Sequence, residues 1–568
     1  MKKFVEITDA HGKVTSIKTS LDDIALISFP ELNKGTAFTD KEREAFNLIG
    51  KLPYKYESIN EQVVRYYRQF QERPNEISKN LFLNSLKQTN LTLFYKLAKE
   101  HLLEMLPIIY TPTIGEAVQK FSYEFNKPNG LIISYPDRKK IDEILDNRIH
   151  PEIDLLIITD GEGVLGIGDW GIGGLNICIG KLMLYTLLGG INPLRTLPIQ
   201  IDAGTNNETL LNDPTYLGWR HNRIAESDYD KFVGAIVNAI KRKFPNVFLH
   251  WEDLGRENAR KNLERFHDKI CTFNDDLQGT GATALATILS GLALKNEKLE
   301  EQRIVLFGAG TAGVGIADQL CNAMIHAGLD KDAAHNRFWL IDRHGLIIED
   351  MPTLIDFQRP YVRKHGEVQG WEFDDFDHIK LLEVVNNVKP TILIGCSTVS
   401  GAFTQAVVET MAAYVECPII LPLSNPTRLA EARPEDLFQW TNGKAIIATG
   451  SPFPPVQYQG QEYKIAQCNN AYIFPGLGLG ILAAIAARLT EKMITEACRV
   501  LSQHSPALQD KAAAILPCFE DMPEISKKIA IAVAKMARKQ GVAKIEATMD
   551  LEKRVEALFW EPKYHEYR

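Results

Sequence analysis

The chain has 568 residues, which at roughly 150 residues per domain predicts about three or four folding units. An apolar share of 45% and a charged share of 24% provide for a substantial core and exclude wholesale disorder. With 64 Lys and Arg against 72 Asp and Glu, the net charge of −8 offers phosphate backbones no general attraction, so nucleic acid is not expected as a partner.

The first residues, MKKFVEITDAHGKV, lack the apolar run of a signal peptide. The apolar stretch Phe474 to Ala487 is interrupted by Gly476, Gly478 and Gly480 and ends at Arg488, so it is too short and broken to span a bilayer. No membrane partner is expected. Eight cysteines are scattered with no C-x-x-C pair, which argues against a zinc ribbon or a thioredoxin motif and fits reduced thiols in a cytoplasmic protein. Neither H-E-x-x-H nor G-x-x-x-x-G-K-[ST] occurs, so zincin and P-loop chemistry have no support.

In chain order, residues 1–126 read as a mainly helical N-terminal domain. Asn60 to Phe70 and Ser78 to Leu106 carry apolar residues at helical spacing, with Pro107 as the stop. From about residue 150, short apolar runs alternate with helical stretches. LLIITDGEG (155–163), TLPIQIDAGTNN (196–207) and NVFLHWEDLG (246–255) read as strands. Ile177 to Leu188 and Tyr229 to Phe244 read as helices. Such alternation predicts a parallel sheet covered on both faces.

A second series follows, with strands at RIVLFGAG (303–310), RFWLIDRHG (337–345), TILIGCS (391–397), PIILPLSN (418–425) and AIIATGSP (445–452). After Gln467 the chain is helical again, as though returning to the first sheet, and Gly541 stops a helix over 525–540. The expected fold class is α/β: a helical N-terminal region, a parallel-sheet catalytic domain over 127–276 completed by 465–536, and a Rossmann-type dinucleotide-binding domain over 277–464. A tail, 537–568, ends in the aromatics Phe559, Trp560, Tyr564 and Tyr567. These would cover either a partner subunit or the chain's own surface.

Two G-x-G-x-x-G strings compete for a pyrophosphate. They are Gly166-Ile-Gly168-Asp-Trp-Gly171 and Gly308-Ala-Gly310-Thr-Ala-Gly313. The second follows a clean strand directly and opens a helix, as the motif requires. The first carries Asp169, whose charge would repel a pyrophosphate. Gly308, Gly310 and Gly313 are therefore the expected cofactor turn. Asp342, at the end of the next strand, is the expected acceptor for a ribose hydroxyl. Its separation from the glycines exceeds the usual ~20 residues, so the intervening helix or its loop must be extended. A carboxylate there suits NAD, while the neighbouring Arg343 leaves NADP open.

Carboxylates also come in pairs. Glu252-Asp253 follows NVFLHW and Asp275-Asp276 follows ICTFN. Adjacent strand residues face opposite ways, so such pairs belong just past a strand, at the ligand crevice of a parallel sheet. Together they would make a hard-cation site for Mg²⁺ or Mn²⁺. Taken singly, either pair reads first as helix N-caps through Asp253 and Asp276, and it is both pairs together, beside a dinucleotide fold, that turn the reading to metal.

These residues together resemble the malic enzyme family. The resemblance is carried by YTPT at Tyr110, the TDGEGVLGIGDWGIGG loop from Thr159, Gly180-Lys181, DAGTNN from Asp202, and WED at Trp251. It continues through CTFNDDLQGT from Cys271, LSNPT at Leu423, ATGSPF at Ala448 and CNNAYIFPGLGLG from Cys468. It runs in order over nearly the whole chain and is similar to the bacterial NAD-dependent, oxaloacetate-decarboxylating type. It implies oxidative decarboxylation of L-malate to pyruvate and CO₂, with NAD and Mg²⁺ or Mn²⁺ as cofactors, in a homo-oligomer, a dimer or tetramer.

By the resemblance, Glu252, Asp253 and Asp276 match metal ligands, Lys181 the general base, Tyr110 the general acid and Asp275 the carboxylate beside the lysine. Asn425 and Asn470 match substrate contacts, with Asn425 also beside the cofactor. It also assigns 166–174 to an active-site loop. Two positions depart from the animal pattern. Gly163 stands where an arginine holds a malate carboxylate, and Thr89 where an arginine serves fumarate activation.

Without the motif, Lys181 reads as a solvated lysine at a helix start and Tyr110 as a packed aromatic before a proline turn. The closest rival function is malolactic enzyme, which retains NAD and releases lactate. A non-catalytic NAD sensor would have no use for the acid–base pair. An amino-acid dehydrogenase would have no use for the clustered acids.

Overall fold

The apolar runs become strands in a computed structural model that describes residues 4–568 apart from 10–12, 126, 128, 149 and 165. The four expected segments fall into two compact units. The first comprises 1–273, 478–488 and 522–568; the second comprises 274–477 and 489–521. The returning C-terminal part is thus shared between the units.

The first unit begins with a hairpin, Phe4–Thr8 (β1) and Val14–Thr19 (β2), paired antiparallel. The N-terminal region is therefore not helical from its start. FVEIT and VTSIKT are β-branched and alternating, and the chain's last strand, Glu566–Tyr567, completes their sheet by pairing parallel to β2. Helices follow at Ile59–Gln71, Glu76–Lys87, Leu91–Glu100 and Leu102–Ile109. Pro107 lies inside the last of these rather than ending the stretch. It removes one N–H from a short helix, which continues to its cap at Tyr110.

The sheet of this unit has strands Leu131–Ser134 (β3), Leu155–Thr159 (β4), Thr196–Asp202 (β5), Phe248–Trp251 (β6) and Thr272–Asn274 (β7), in the order β3-β5-β4-β6-β7. β3, β5, β4 and β6 run parallel. Every residue of β4 and β6 is buried, which is why these strands read as unbroken apolar runs. The helix Leu175–Gly189 lies along β4 and β5 and is buried almost all round.

The aromatic tail packs on its own chain. Gly190 caps the Leu175–Gly189 helix in a left-handed turn, and a Cβ there would stand 2.4 Å from the Phe559 ring. The Trp560 N–H donates to the Gly190 carbonyl at 2.7 Å, and its ring meets Tyr95 edge-on at 5.4 Å. Tyr564 donates to Gln62 and accepts from Asn90, and the Tyr567 hydroxyl donates to the Leu32 carbonyl.

The second unit carries strands Ile304–Phe307 (β8), Phe338–Asp342 (β9), Gly345–Leu346 (β10), Ile392–Gly395 (β11), Ile419–Pro422 (β12) and Ile446–Thr449 (β13). A hairpin, Val456–Tyr458 (β14) and Gln461–Tyr463 (β15), and a short strand, Ala466–Gln467 (β16), follow. The sheet order is β10-β9-β8-β11-β12-β13-β16, parallel except for β10. This is the doubly wound arrangement expected of a Rossmann-type unit, with chain order reversing between β8 and β11.

Two stretches, Gly171–Gly189 and Asp275–Lys295, are long and apolar enough to cross a membrane by length and composition; their most apolar windows are 94% and 72% buried inside the protein. That burial is what interior helices on a parallel sheet present.

Candidate active site

β4 and β6 are parallel neighbours, so the segments after Thr159 and Trp251 leave from one end of the first sheet. The Glu252 N–H still donates to the Ile158 carbonyl at 2.9 Å. Asp253 then takes a left-handed turn at φ +50, which breaks the strand's alternation. The two carboxylates thereby offer oxygens within 4.8 Å of each other, and each residue is only 2% exposed. Asp253 does not cap the next helix; Gly255 holds that position before Arg256–Phe266. The field of the two acids is felt at Cys178, whose thiol burial pushes far up, with Glu252 and Asp253 adding to the shift.

Lys181 is not a solvated lysine at a helix start. It sits in the middle of Leu175–Gly189, 2% exposed, with Nζ 3.0 Å from Glu252 Oε1. Tyr110, half-buried at the C-cap of Leu102–Ile109, lies beside it, with the ammonium 5.7 Å from the ring centroid. The glycine before the lysine permits this approach. A Cβ on Gly180 would stand 3.1 Å from the Ile109 carbonyl and 3.2 Å from Tyr110 Cδ2.

Gly163 has an equally direct reason. Its N–H donates to the Asp253 carbonyl at 3.0 Å, and a Cβ would lie 2.5 Å from the Leu254 carbonyl oxygen. No arginine fits on this backbone. Gly163→Ala is expected to destabilise the protein by about 1–3 kcal/mol, read as a lowered Tm, because backbone rather than a flexible side chain must yield.

The first glycine string ends in a close backbone turn instead of opening directly into a helix. Gly161 and Gly171 touch backbone to backbone, and a Cβ on Gly161 would stand 2.1 Å from the Gly171 carbonyl. The helix starts only at Leu175, beyond a 3₁₀ turn at Gly171–Gly174. The repulsion expected of Asp169 is answered by Arg223, whose Nη2 and Nε lie 2.8 and 2.9 Å from its oxygens. Burial raises the Asp169 pKa, but Arg223 and the backbone donors of Asn206 and Gly171 outweigh it and hold the acid below the ordinary range.

In the second unit the three glycines after β8 have three distinct surroundings. Gly308, at φ +109, has the Cys396 carbonyl 2.4 Å from where a Cβ would be. Gly313 similarly has the Gly308 carbonyl at 2.1 Å. Gly310 faces open space, with nothing within 4 Å, and the helix Thr311–His326 begins at the next residue. Open space at a helix N-terminus is what a pyrophosphate needs, so the residues present fit a dinucleotide.

Asp342 ends β9 as expected, and the long spacing is accounted for by the 16-residue helix and a further short helix, Lys331–His335. Sequence reasoning missed Gln358. Its amide donates to Asp342 Oδ2 at 3.0 Å and to the Ala309 carbonyl at 2.8 Å, tying the acid to the glycine turn.

Asp275 and Asp276 follow β7 in a π-helical turn, Asp275–Gly279. Asn274 caps that turn, accepting from the Leu277 N–H at 2.9 Å, so capping is not the task of Asp276. Asp275 is 1% exposed and accepts from Asn470 Nδ2 at 2.9 Å, which brings those two expected residues together. Asn425, three residues past β12, accepts from the Ser451 hydroxyl. Glu431 was also missed. Fully buried, it accepts from the backbone and hydroxyl of both Ser397 and Ser424, joining the ends of β11 and β12. No motif around it announces that role.

A buried lysine–carboxylate pair beside a tyrosine, in a chain whose second unit carries a glycine turn that fits a dinucleotide, is the combination a dinucleotide-dependent oxidoreductase uses. Residues 87–267 match the family model described as malic enzyme, N-terminal domain, and residues 277–538 the one described as malic enzyme, NAD binding domain. The chain is 49% identical over 555 residues to NAD-dependent malic enzyme 3 of Bacillus subtilis, covering 97% of this chain and 98% of that protein. It is 47% identical over 543 residues to the NAD-dependent malic enzyme of Photorhabdus laumondii, covering 96% of each. The chain belongs to the malic enzyme family. Among solved structures, malic enzyme from Entamoeba histolytica matches with a TM-score of 0.55 at 23% identity, covering 90% of this chain and 89% of that one. The overall fold is thus shared.

Proposed function

We propose that this chain converts L-malate to pyruvate and CO₂ with reduction of NAD, in a reaction that depends on a divalent cation. The observation that carries the reading is the buried Lys181–Glu252 pair, with Tyr110 beside the ammonium, at the ligand end of a parallel sheet. Glu252, Asp253 and Asp276 are the proposed ligands of Mg²⁺ or Mn²⁺. Two adjacent carboxylates buried at 2% exposure form an oxygen-donor set suited to a hard cation. When bound, the cation would polarise the oxygen on C2 and the nicotinamide would accept the hydride from that carbon.

The chain's own part is acid–base chemistry. Lys181, in its neutral amine form, takes the C2 hydroxyl proton. Loss of CO₂ leaves an enolate of pyruvate, and Tyr110 donates the proton that C3 requires. One proton leaves the hydroxyl and one arrives at carbon, so the balance closes within the pair once Lys181 reprotonates Tyr110. Asp275, held by Asn470, is the acid that the family resemblance pairs with the base. Asn425 and Asn470 contact substrate, and Asn425 also borders the cofactor.

The malolactic alternative makes lactate and no net NADH. Mixing protein, L-malate, Mn²⁺ and NAD⁺ and following NADH absorbance decides between them. Stoichiometric NADH and pyruvate are expected; lactate without NADH would overturn the reading.

Gly308, Gly310, Gly313 and Asp342 are proposed to hold NAD. Asp342→Ser should weaken NAD and relieve repulsion of NADP, moving the preference ratio by about 1–2 kcal/mol, the scale of one charge-assisted hydrogen bond. An unchanged ratio of kcat/KM for the two cofactors would move the ribose away from Asp342. A homo-oligomer, dimer or tetramer, and a cytoplasmic setting belong to the same reading. Eight free thiols support the cytoplasmic setting.

A further inference from the structure

Glu252 is held from two sides. Its Oε1 faces Lys181 Nζ at 3.0 Å, and its Oε2 faces His250 Nε2 at 2.8 Å. Residues 250 and 252 stand two apart and so share one face of β6 and its extension. The other ring nitrogen, His250 Nδ1, lies 2.8 Å from the Tyr185 hydroxyl. Tyr185 is four residues after Lys181 on the helix Leu175–Gly189, the spacing that puts two side chains on one helix face. The chain Lys181–Glu252–His250–Tyr185 therefore starts and ends on the same helix. Tyr185 and His250 are fully buried, and Phe273 meets the imidazole edge-on at 5.4 Å.

The chemistry of the partners sets the proton on the ring. An ionised carboxylate only accepts hydrogen bonds, so the nitrogen facing Glu252 must carry hydrogen. In a neutral imidazole the other nitrogen is then bare, and it accepts from the Tyr185 O–H. A histidine in this tautomer, oriented by a hydroxyl and donating to a carboxylate, is the arrangement by which outer groups orient metal ligands.

We propose that His250, oriented by Tyr185, is a positioning residue that fixes the Glu252 carboxylate for the divalent cation. This rests on the reading of Glu252 as a metal ligand.

The test is Mn²⁺ binding to the full chain without malate, read by the paramagnetic resonance signal of free Mn²⁺, for wild type, Glu252→Gln, His250→Ala, His250→Gln and Tyr185→Phe. Glu252→Gln is expected to lose tight Mn²⁺ binding. His250→Ala should weaken it about 10–100-fold, the usual cost of removing a group that orients a ligand, while NAD affinity stays at the wild-type value. His250→Gln should restore most of the loss, because its amide N–H can face Glu252. Nitrogen chemical shifts of labelled histidine should show a protonated Nε2 and a bare Nδ1 in the wild type. In Tyr185→Phe they should shift, with weaker Mn²⁺ binding.

Should Glu252→Gln bind Mn²⁺ like the wild type, the ligand reading fails and this proposal with it. If Glu252→Gln loses Mn²⁺ while folded His250→Ala keeps it, the ligand reading stands and the proposal alone is overturned. A His250→Gln variant as weak as His250→Ala, with Tm lowered alike in both, would also overturn it by showing a packing role. If His250→Ala does not fold, the histidine shifts and the Tyr185→Phe affinity decide: a protonated Nδ1 in the wild type, or unchanged Mn²⁺ binding in Tyr185→Phe, overturns the proposal.

Discussion

Replacing Lys181 by alanine is expected to stop malate-dependent NADH formation, lowering kcat by at least the ~10²–10⁴-fold a positioned acid–base group contributes. The proposed acceptor of the hydroxyl proton is then gone, and with it the means by which C2 would become a ketone. The same substitution removes one half of an ion pair whose side chains are 3% and 2% exposed. Breaking a buried pair costs about 3–5 kcal/mol, so a lower Tm is expected as well, and activity must be read at a temperature where the variant is folded.

Tyr110→Phe separates the two roles. It should chiefly slow proton delivery to C3, measured as exchange of the pyruvate methyl protons with deuterated solvent in the presence of Mn²⁺ and NADH. Steps upstream of that delivery should survive better than in Lys181→Ala. In the proposed mechanism the two groups share one proton, so their losses need not multiply. Wild-type exchange in Tyr110→Phe would return this residue to the role of an aromatic that shapes the cleft against the Lys181 helix.

The second large effect is expected from Asp276→Ala. A divalent cation contributes several kcal/mol of charge stabilisation, and each 1.36 kcal/mol is tenfold in rate, so a loss on the order of 10³-fold or more is expected. Asp276 lies in the turn after β7, whereas the glycines proposed for NAD lie after β8. NAD binding, followed by quenching of protein fluorescence, should therefore persist. EDTA should abolish wild-type activity and Mn²⁺ restore it. Ordinary activity in Asp276→Ala, insensitive to EDTA, would remove the metal from this mechanism.

Much of the framework is legible without coordinates. β4 and β6 are buried at every residue, and the inner strands β8, β11, β12 and β13 nearly so. A strand covered on both faces has no alternation to obscure its apolar run. The glycines after β8 are equally legible, because a tight turn and a close helix approach demand that residue type at fixed offsets. Paired acids betray a strand end, since side chains of a continuing strand would face opposite ways. The roles proposed for each acid, for Lys181 and for Tyr110 come from the family resemblance, because residue type alone left them open.

Other features were decided only by tertiary structure. Lys181 reads as solvated until the helix that bears it is laid on β4 and β5 and the ammonium meets Glu252. Asn274, not Asp276, caps the turn after β7, a choice between equally good caps that local composition does not make. The β1–β2 hairpin pairs with a strand 550 residues later, and the tail aromatics turn to Tyr95, Gln62 and Asn90 rather than outward. His250 and Tyr185 carry no motif and meet only because packing brings the Lys181 helix and β6 within reach of each other. Periodicity and turn chemistry are local, so the sequence by itself determined strands, glycine turns and strand-end acids. Burial of a charge and the partner of a buried polar group depend on elements distant along the chain, and those only packing decides.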